Sequence, residues 1–158
     1  MVESAALIFK INNDLVVNSL EDISDADLWR RPSDTGSPLG WLVGHITESR
    51  SSLLTRLGLP LEIGWPRIFE RGSQVQGADV YPGRSMVMSA WRASRRTMRD
   101  AFAALTPERL VEPFGRSLPG LQNPNIAELI AFIAFHESYH VGQMGYVRRL
   151  FGYKSLVG

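Results

Sequence analysis

The chain has 158 residues, 44% of them hydrophobic and 21% charged, which is the profile of a globular protein rather than a disordered one. Its formal net charge is +1, so no global basic field draws it to nucleic acid or anionic lipid. It has no cysteine, which excludes disulfides, thiolate metal ligands and a thiol nucleophile of its own.

This length fits one domain, 1–158, with a real core. Met1 to Lys10 lacks the basic flank of a signal peptide, and no apolar stretch reaches the roughly 18 residues a membrane span needs. The expectation is a cytoplasmic protein with no membrane partner.

Four segments carry helical periodicity. The first runs from about Ser4 to Leu20, with Leu7, Ile8, Ile11, Leu15 and Val16 at three- and four-residue steps. A single turn follows at Ser24–Trp29, opened by a Ser cap and stopped at Pro32. The second helix begins at Ser37-Pro38 and ends at Gly58, burying Leu39, Leu42, Val43, Ile46, Leu53 and Leu57.

The third spans about Ser85 to Leu105, with Val87, Trp91, Met98, Ala101, Phe102 and Leu105 inward. The fourth opens at Asn125, three residues before Glu128 in a capping-box arrangement, and runs to Phe151 with Gly152 as its stop. Strand signals are almost absent. The expected fold is all-α, a four-helix bundle with long connections at 59–84 and 106–124. Connections of that length are often lids or binding loops. The first carries Trp65, Phe69 and Tyr81, which either fold over one end of the bundle or extend its core.

The three histidines are the most informative feature. His136 and His140 are four apart on the fourth helix, so both project from one face. They fall on the apolar series Ile126, Leu129, Ile133, His136, His140, Met144, Val147, which places them in the inward stripe. Buried imidazoles need partners, and a metal serves two at once. His45, in the middle of the second helix, can meet the pair across the bundle. Three neutral imidazoles without thiolate suit Zn2+, Ni2+ or a neighbouring first-row ion, and they leave a coordination position open for water or substrate.

Residues 136–140 also match H-E-x-x-H, in which the Glu is the general base of a zinc protease. The context argues against that activity: no downstream ligand exists, because the last eighteen residues contain no His, Asp or Glu. Glu137 lies about 100° around the helix from His136. It either reaches a water on the metal or sits on the solvent-facing rim. The catalytic candidates are Glu137, Tyr139 and Gln143; Gln143, three residues from His140, either orients a ligand or substrate from outside or is a helix-face amide bonded to backbone or water.

Arg92, Arg95, Arg96 and Arg99 share a helical side, but their spacing is that of a solvated face, and no nucleic-acid partner is expected.

Gly40-Trp41-Leu42-Val43-Gly44-His45-Ile46, followed by His136-Glu137-Ser138-Tyr139-His140-Val141-Gly142-Gln143 and the tail Arg148–Gly152, resembles the DinB-like superfamily, which includes the YfiT-type proteins. The resemblance implies an up-up-down-down type bundle with a His-rich divalent site, and a homodimer. It maps His45, His136 and His140 onto the three ligand positions. Apolar Phe9, Met86 and Met88 lie outside the main stripes and fit a second subunit.

The resemblance implies several activities. One is a metal-dependent hydrolase. Another is a transferase acting on a small-molecule substrate with an external low-molecular-weight thiol as co-substrate. The alternative is a metal- or ligand-binding stress-response protein without turnover.

Overall fold

The computed structural model describes residues 2–70, 72–73 and 76–157. The helices are α1 (Val2–Leu20), α2 (Asp25–Trp29), α3 (Leu39–Arg56), α4 (Arg84–Ala103), α5 (Pro107–Val111) and α6 (Ile126–Leu150). Local chemistry sets several of their ends. Ser24 caps α2 by accepting from the Asp27 N–H at 3.0 Å. Asn125 and Glu128 close a reciprocal capping box on α6, at 2.8 and 2.9 Å. Gly58 and Gly152 take positive φ just past α3 and α6, where a Cβ would be strained. At α3 the cap position is Pro38, without a side-chain bond, so Ser37 does not cap it.

The core divides into two groups that fix the helix directions. Val16 and Leu20 of α1 cluster with Leu39–Ile46 of α3, Val87 and Trp91 of α4, and Val141–Val147 of α6. Ala5 and Phe9 cluster with Leu53, Leu54, Met98, Ala101 and Ile126–Ala134. Hence α1 and α6 run one way while α3 and α4 run the other. The order is up-down-down-up, not the up-up-down-down order that the resemblance implied.

This arrangement explains the long 59–84 connection. Because α3 and α4 are parallel, the chain must travel back along α3, roughly 27 Å for its 18 residues, before α4 can start. The segment contains a short 3-10 turn at Ala78–Val80, and the 106–124 connection contains α5, neither of which the periodicity revealed. Phe69 and Tyr81 are buried, and they stack with Trp29 at ring separations of 4.7 to 6.4 Å. Of the two expectations, the aromatics therefore extend the core.

Two inward stripes differ from the expected ones. In α1 the buried residues are Ala5, Phe9, Asn12, Val16, Ser19 and Leu20, while Leu7 (57% exposed) and Ile11 (50% exposed) face out. The core stripe contains Asn12 and Ser19, whose bonds to Ser138 and to the Val16 carbonyl satisfy them, so polarity alone misplaces the face. Phe9 and Met88 are core residues, and only Met86 of that trio is exposed.

In α6 the buried face runs through Ile130, Ala134, Glu137 and Val141, leaving His136 and His140 half-buried on its flank. Arg148 is 3% exposed and ties the end of α6 to α1, donating to the Ser19 carbonyl at 2.7 Å and to Asp22 at 2.6 Å.

Candidate metal centre

The glycines of the Gly40–Gly44 segment are there for space. A Cβ on Gly40 would lie 2.5 Å from the Trp29 ring, and one on Gly44 would lie 2.6 Å from the Phe69 ring. By letting Phe69 seat against α3, Gly44 brings the Phe69 carbonyl to 2.6 Å from His45 Nδ1. An oxygen without a proton can only accept, so Nδ1 carries the hydrogen and Nε2 presents its lone pair. Trp41 stacks on the same imidazole, with ring centres 4.9 Å apart.

His140 is held in the same way. Its Nδ1–H donates to Gln143 Oε1 at 2.7 Å, and the Gln143 amide donates in turn to Tyr139 Oη at 3.3 Å. The third ring, His136, lies nearly parallel to Phe132 at 6.4 Å. Nε2 of His136 stands 3.1 Å from Nε2 of His45 and 3.1 Å from Nε2 of His140. The three ligand atoms all fall within 4.8 Å of one another.

Burial holds the His45 imidazole below its ordinary pKa, against the opposing pull of the Phe69 carbonyl. Burial also lowers His140, to about 4, helped by the charge of His45 and opposed by Gln143. Both rings are therefore neutral at pH 7.

That geometry suits a cation. His45 and His140 each turn a bare Nε2 lone pair toward His136, whose Nε2 can donate at most one proton. At least one 3.1 Å contact then sets lone pair against lone pair. Three imidazole nitrogens on a tetrahedral ion at 2.0–2.1 Å would be spaced by about 3.3 Å, close to the 3.1 Å that separates His136 from each of the other two. The residues present fit a divalent metal, and His45, His136 and His140 would hold it.

Beside the cluster lies a cavity of about 470 Å³ between α3 and α6, bounded by His45, His136, Glu48 and Phe132. Both long connections contribute to its wall, the first through Arg67 and Glu70 and the second through Ser117 to Pro119. Glu48 is buried, and burial raises its pKa against the pull of hydrogen bonds from the Phe69 N–H and the Trp65 indole. Gln143 stands where its spacing from His140 placed it, and Tyr139 is exposed beside it.

Glu137 is a correction. It lies neither on a solvent rim nor toward the histidines. It is 1% exposed and takes both of its bonds from Arg50, from Nε at 2.6 Å and Nη2 at 2.7 Å. Arg50 also donates to Asn13 and Ser94 and lies over the Trp91 ring at 3.8 Å. The residues that sequence reasoning missed are Arg50, Glu48 and the Phe69 carbonyl. A backbone carbonyl leaves no mark in a sequence, and Arg50 reads as one more polar residue on a helix.

The DinB superfamily family model matches residues 9–144, most of the chain. The chain belongs to the DinB superfamily. No functionally curated protein matches it. Among solved structures, the DinB fold recurs in a conserved protein from Enterococcus faecalis, with a TM-score of 0.77 at 13% identity, covering 95% of this chain and 96% of that one.

YfiT from Bacillus subtilis, described as a probable metal-dependent hydrolase with an unusual four-helix bundle topology, aligns with a TM-score of 0.75 at 12% identity, covering 97% and 89%. A DinB-like protein from Bacillus cereus gives 0.70 at 17% identity, covering 97% and 94%. At these identities the likeness shows the DinB bundle alone.

Proposed function

We propose that His45, His136 and His140 hold one divalent ion, Zn2+ or Ni2+, and that the chain uses it in hydrolysis or in transfer of an external low-molecular-weight thiol. The observation that carries this reading is the convergence of three Nε2 atoms, two of them fixed as lone-pair donors by the Phe69 carbonyl and the Gln143 amide. An ion bound there supplies Lewis acidity, lowering the pKa of a nucleophile toward neutrality.

The chain's own residues do the rest. His45 and His140 stay neutral and correctly oriented, and Gln143 with Tyr139 holds the outer edge of His140. The adjoining cavity is of a size that takes a small molecule. Because the chain has no cysteine, any thiol must come from outside. The description of YfiT as a metal-dependent hydrolase supports the hydrolytic branch.

One observation favours a protein without turnover. Glu137, the carboxylate between the two ligands of α6, is already paired with Arg50 and is not available as a base. The test is a comparison of metal-loaded wild type with His140→Ala, over a panel of hydrolysable esters and amides and a panel of thiols with electrophiles. The catalytic reading expects at least one reaction to slow by about 10²-fold or more in the variant, the size of losing a metal-activated nucleophile. Equal rates throughout would leave the metal-binding protein as the answer.

A further inference from the structure

Glu48 borders the cavity, is only 6% exposed and sits one turn beyond His45 on α3. Its Oε1 accepts two hydrogen bonds, from the Phe69 N–H and from the Trp65 indole, each 3.2 Å. Phe69 is also the residue whose carbonyl receives His45 Nδ1–H. One residue of the crossover is thus gripped at both backbone polar atoms by two side chains of the same helix.

Around this grip, the Phe69 ring is wedged against Gly44, with Tyr81 stacked 5.2 Å away and Trp65 edge-on at 5.8 Å. Phe69 belongs to no helix, so no backbone ladder fixes where its carbonyl points.

We propose that Glu48 is a positioning residue of the metal centre: it pins the Phe69 backbone, whose carbonyl then locks His45 in the Nδ1–H tautomer with Nε2 free to bind an ion. The opposite tautomer would aim a lone pair at the Phe69 oxygen and a hydrogen at the cluster, and could not ligate. Rings that bind metals depend on such outer partners, whose loss typically weakens affinity 10- to 100-fold. The crossover is then more than a wall of the cavity, because it delivers the atom that makes His45 a ligand. This inference rests on the three-histidine reading, and its test separates the two.

The tautomers are read in metal-free protein at pH 7.5 by long-range 1H–15N correlation of the imidazole rings, and Zn2+ affinity is measured by chelator competition. In wild type His45 should show protonated Nδ1 and bare Nε2. Glu48→Ala should show a mixture of tautomers at His45 alone, and bind Zn2+ about 10- to 100-fold more weakly. Glu48→Gln keeps an acceptor oxygen and should restore both.

If Glu48→Ala does not fold, Glu48→Asp is read instead, since its shorter side chain retreats from the Phe69 N–H and should disturb the same resonances. An unchanged His45 pattern in a folded Ala or Asp variant overturns the proposal. If wild type binds no Zn2+ while the tautomer still follows Glu48, the metal reading fails and the positioning role stands.

Discussion

Burial keeps His45 and His140 uncharged, and a sign for pH dependence follows. In the unfolded chain a histidine titrates near 6.5, whereas folded His140 is lowered to about 4, by burial first and by His45 second. Between those values the unfolded state binds more protons, so stability rises with pH. The contribution is fully present above about 6.5 and is lost as pH falls through about 4. His45 shifts in the same direction for the same first cause, burial. Metal-free wild type should therefore lose urea resistance between pH 7 and 4.5 more steeply than His140→Ala. Equal slopes for the two proteins would show that the folded rings are not held neutral.

Single residues also mark where reading the sequence succeeds and where it stops. The spacing that puts His136 and His140 on one side of the helix is a matter of helix geometry and was legible directly, whereas Gln143 was open to two readings until its bond to His140 chose between them. Glu137 was not. It is polar at the centre of a buried face because Arg50 meets it from α3 with two bonds, and that pairing joins residues 87 positions apart. Asn12 misplaced the α1 stripe for the same reason, since it bonds Ser138 across the bundle, whereas Ser19 turns back to the Val16 carbonyl of its own helix. Polar groups satisfied across the bundle look from the sequence like a solvent face.

At the level of elements, the Gly40–His45 turn of α3 links packing to the site. Gly44 admits the Phe69 ring, and the Phe69 carbonyl fixes His45. Adding one methyl at Gly44 creates a 2.6 Å contact with that ring, which must shift. Overpacking of this kind typically costs about 1–3 kcal/mol. Gly44→Ala should lower stability by that amount in denaturant unfolding and should also weaken Zn2+ binding, whereas Gly142→Ala, with nothing within 4 Å of its Cβ, should do neither. Unchanged Zn2+ affinity in Gly44→Ala would detach the Phe69 carbonyl from ligand orientation.

The four long helices were legible, as was the capping box of Asn125 with Glu128, while the Ser37 cap expected on α3 is not formed. The helix directions were not legible, because helix periodicity says which face is buried and nothing about which end meets which.

At the scale of the whole molecule, the up-down-down-up order places the middle of α3 beside the middle of α6, so His45 reaches the pair on the last helix while the lengthy crossover closes over the same region. The buried Arg50–Glu137 pair joins these helices next to the cluster and fixes their register. Breaking such a pair by removing one partner leaves an uncompensated buried charge. The fold thus gathers in one place three imidazole lone pairs, the groups that orient them and a cavity.

Everything functional depends on whether those nitrogens bind an ion. Crystals grown with Zn2+ and measured above and below the zinc absorption edge decide it. One strong anomalous peak is expected at about 2.0–2.1 Å from Nε2 of His45, His136 and His140 together. A map with no peak there, or with zinc bound only at other residues, would contradict it.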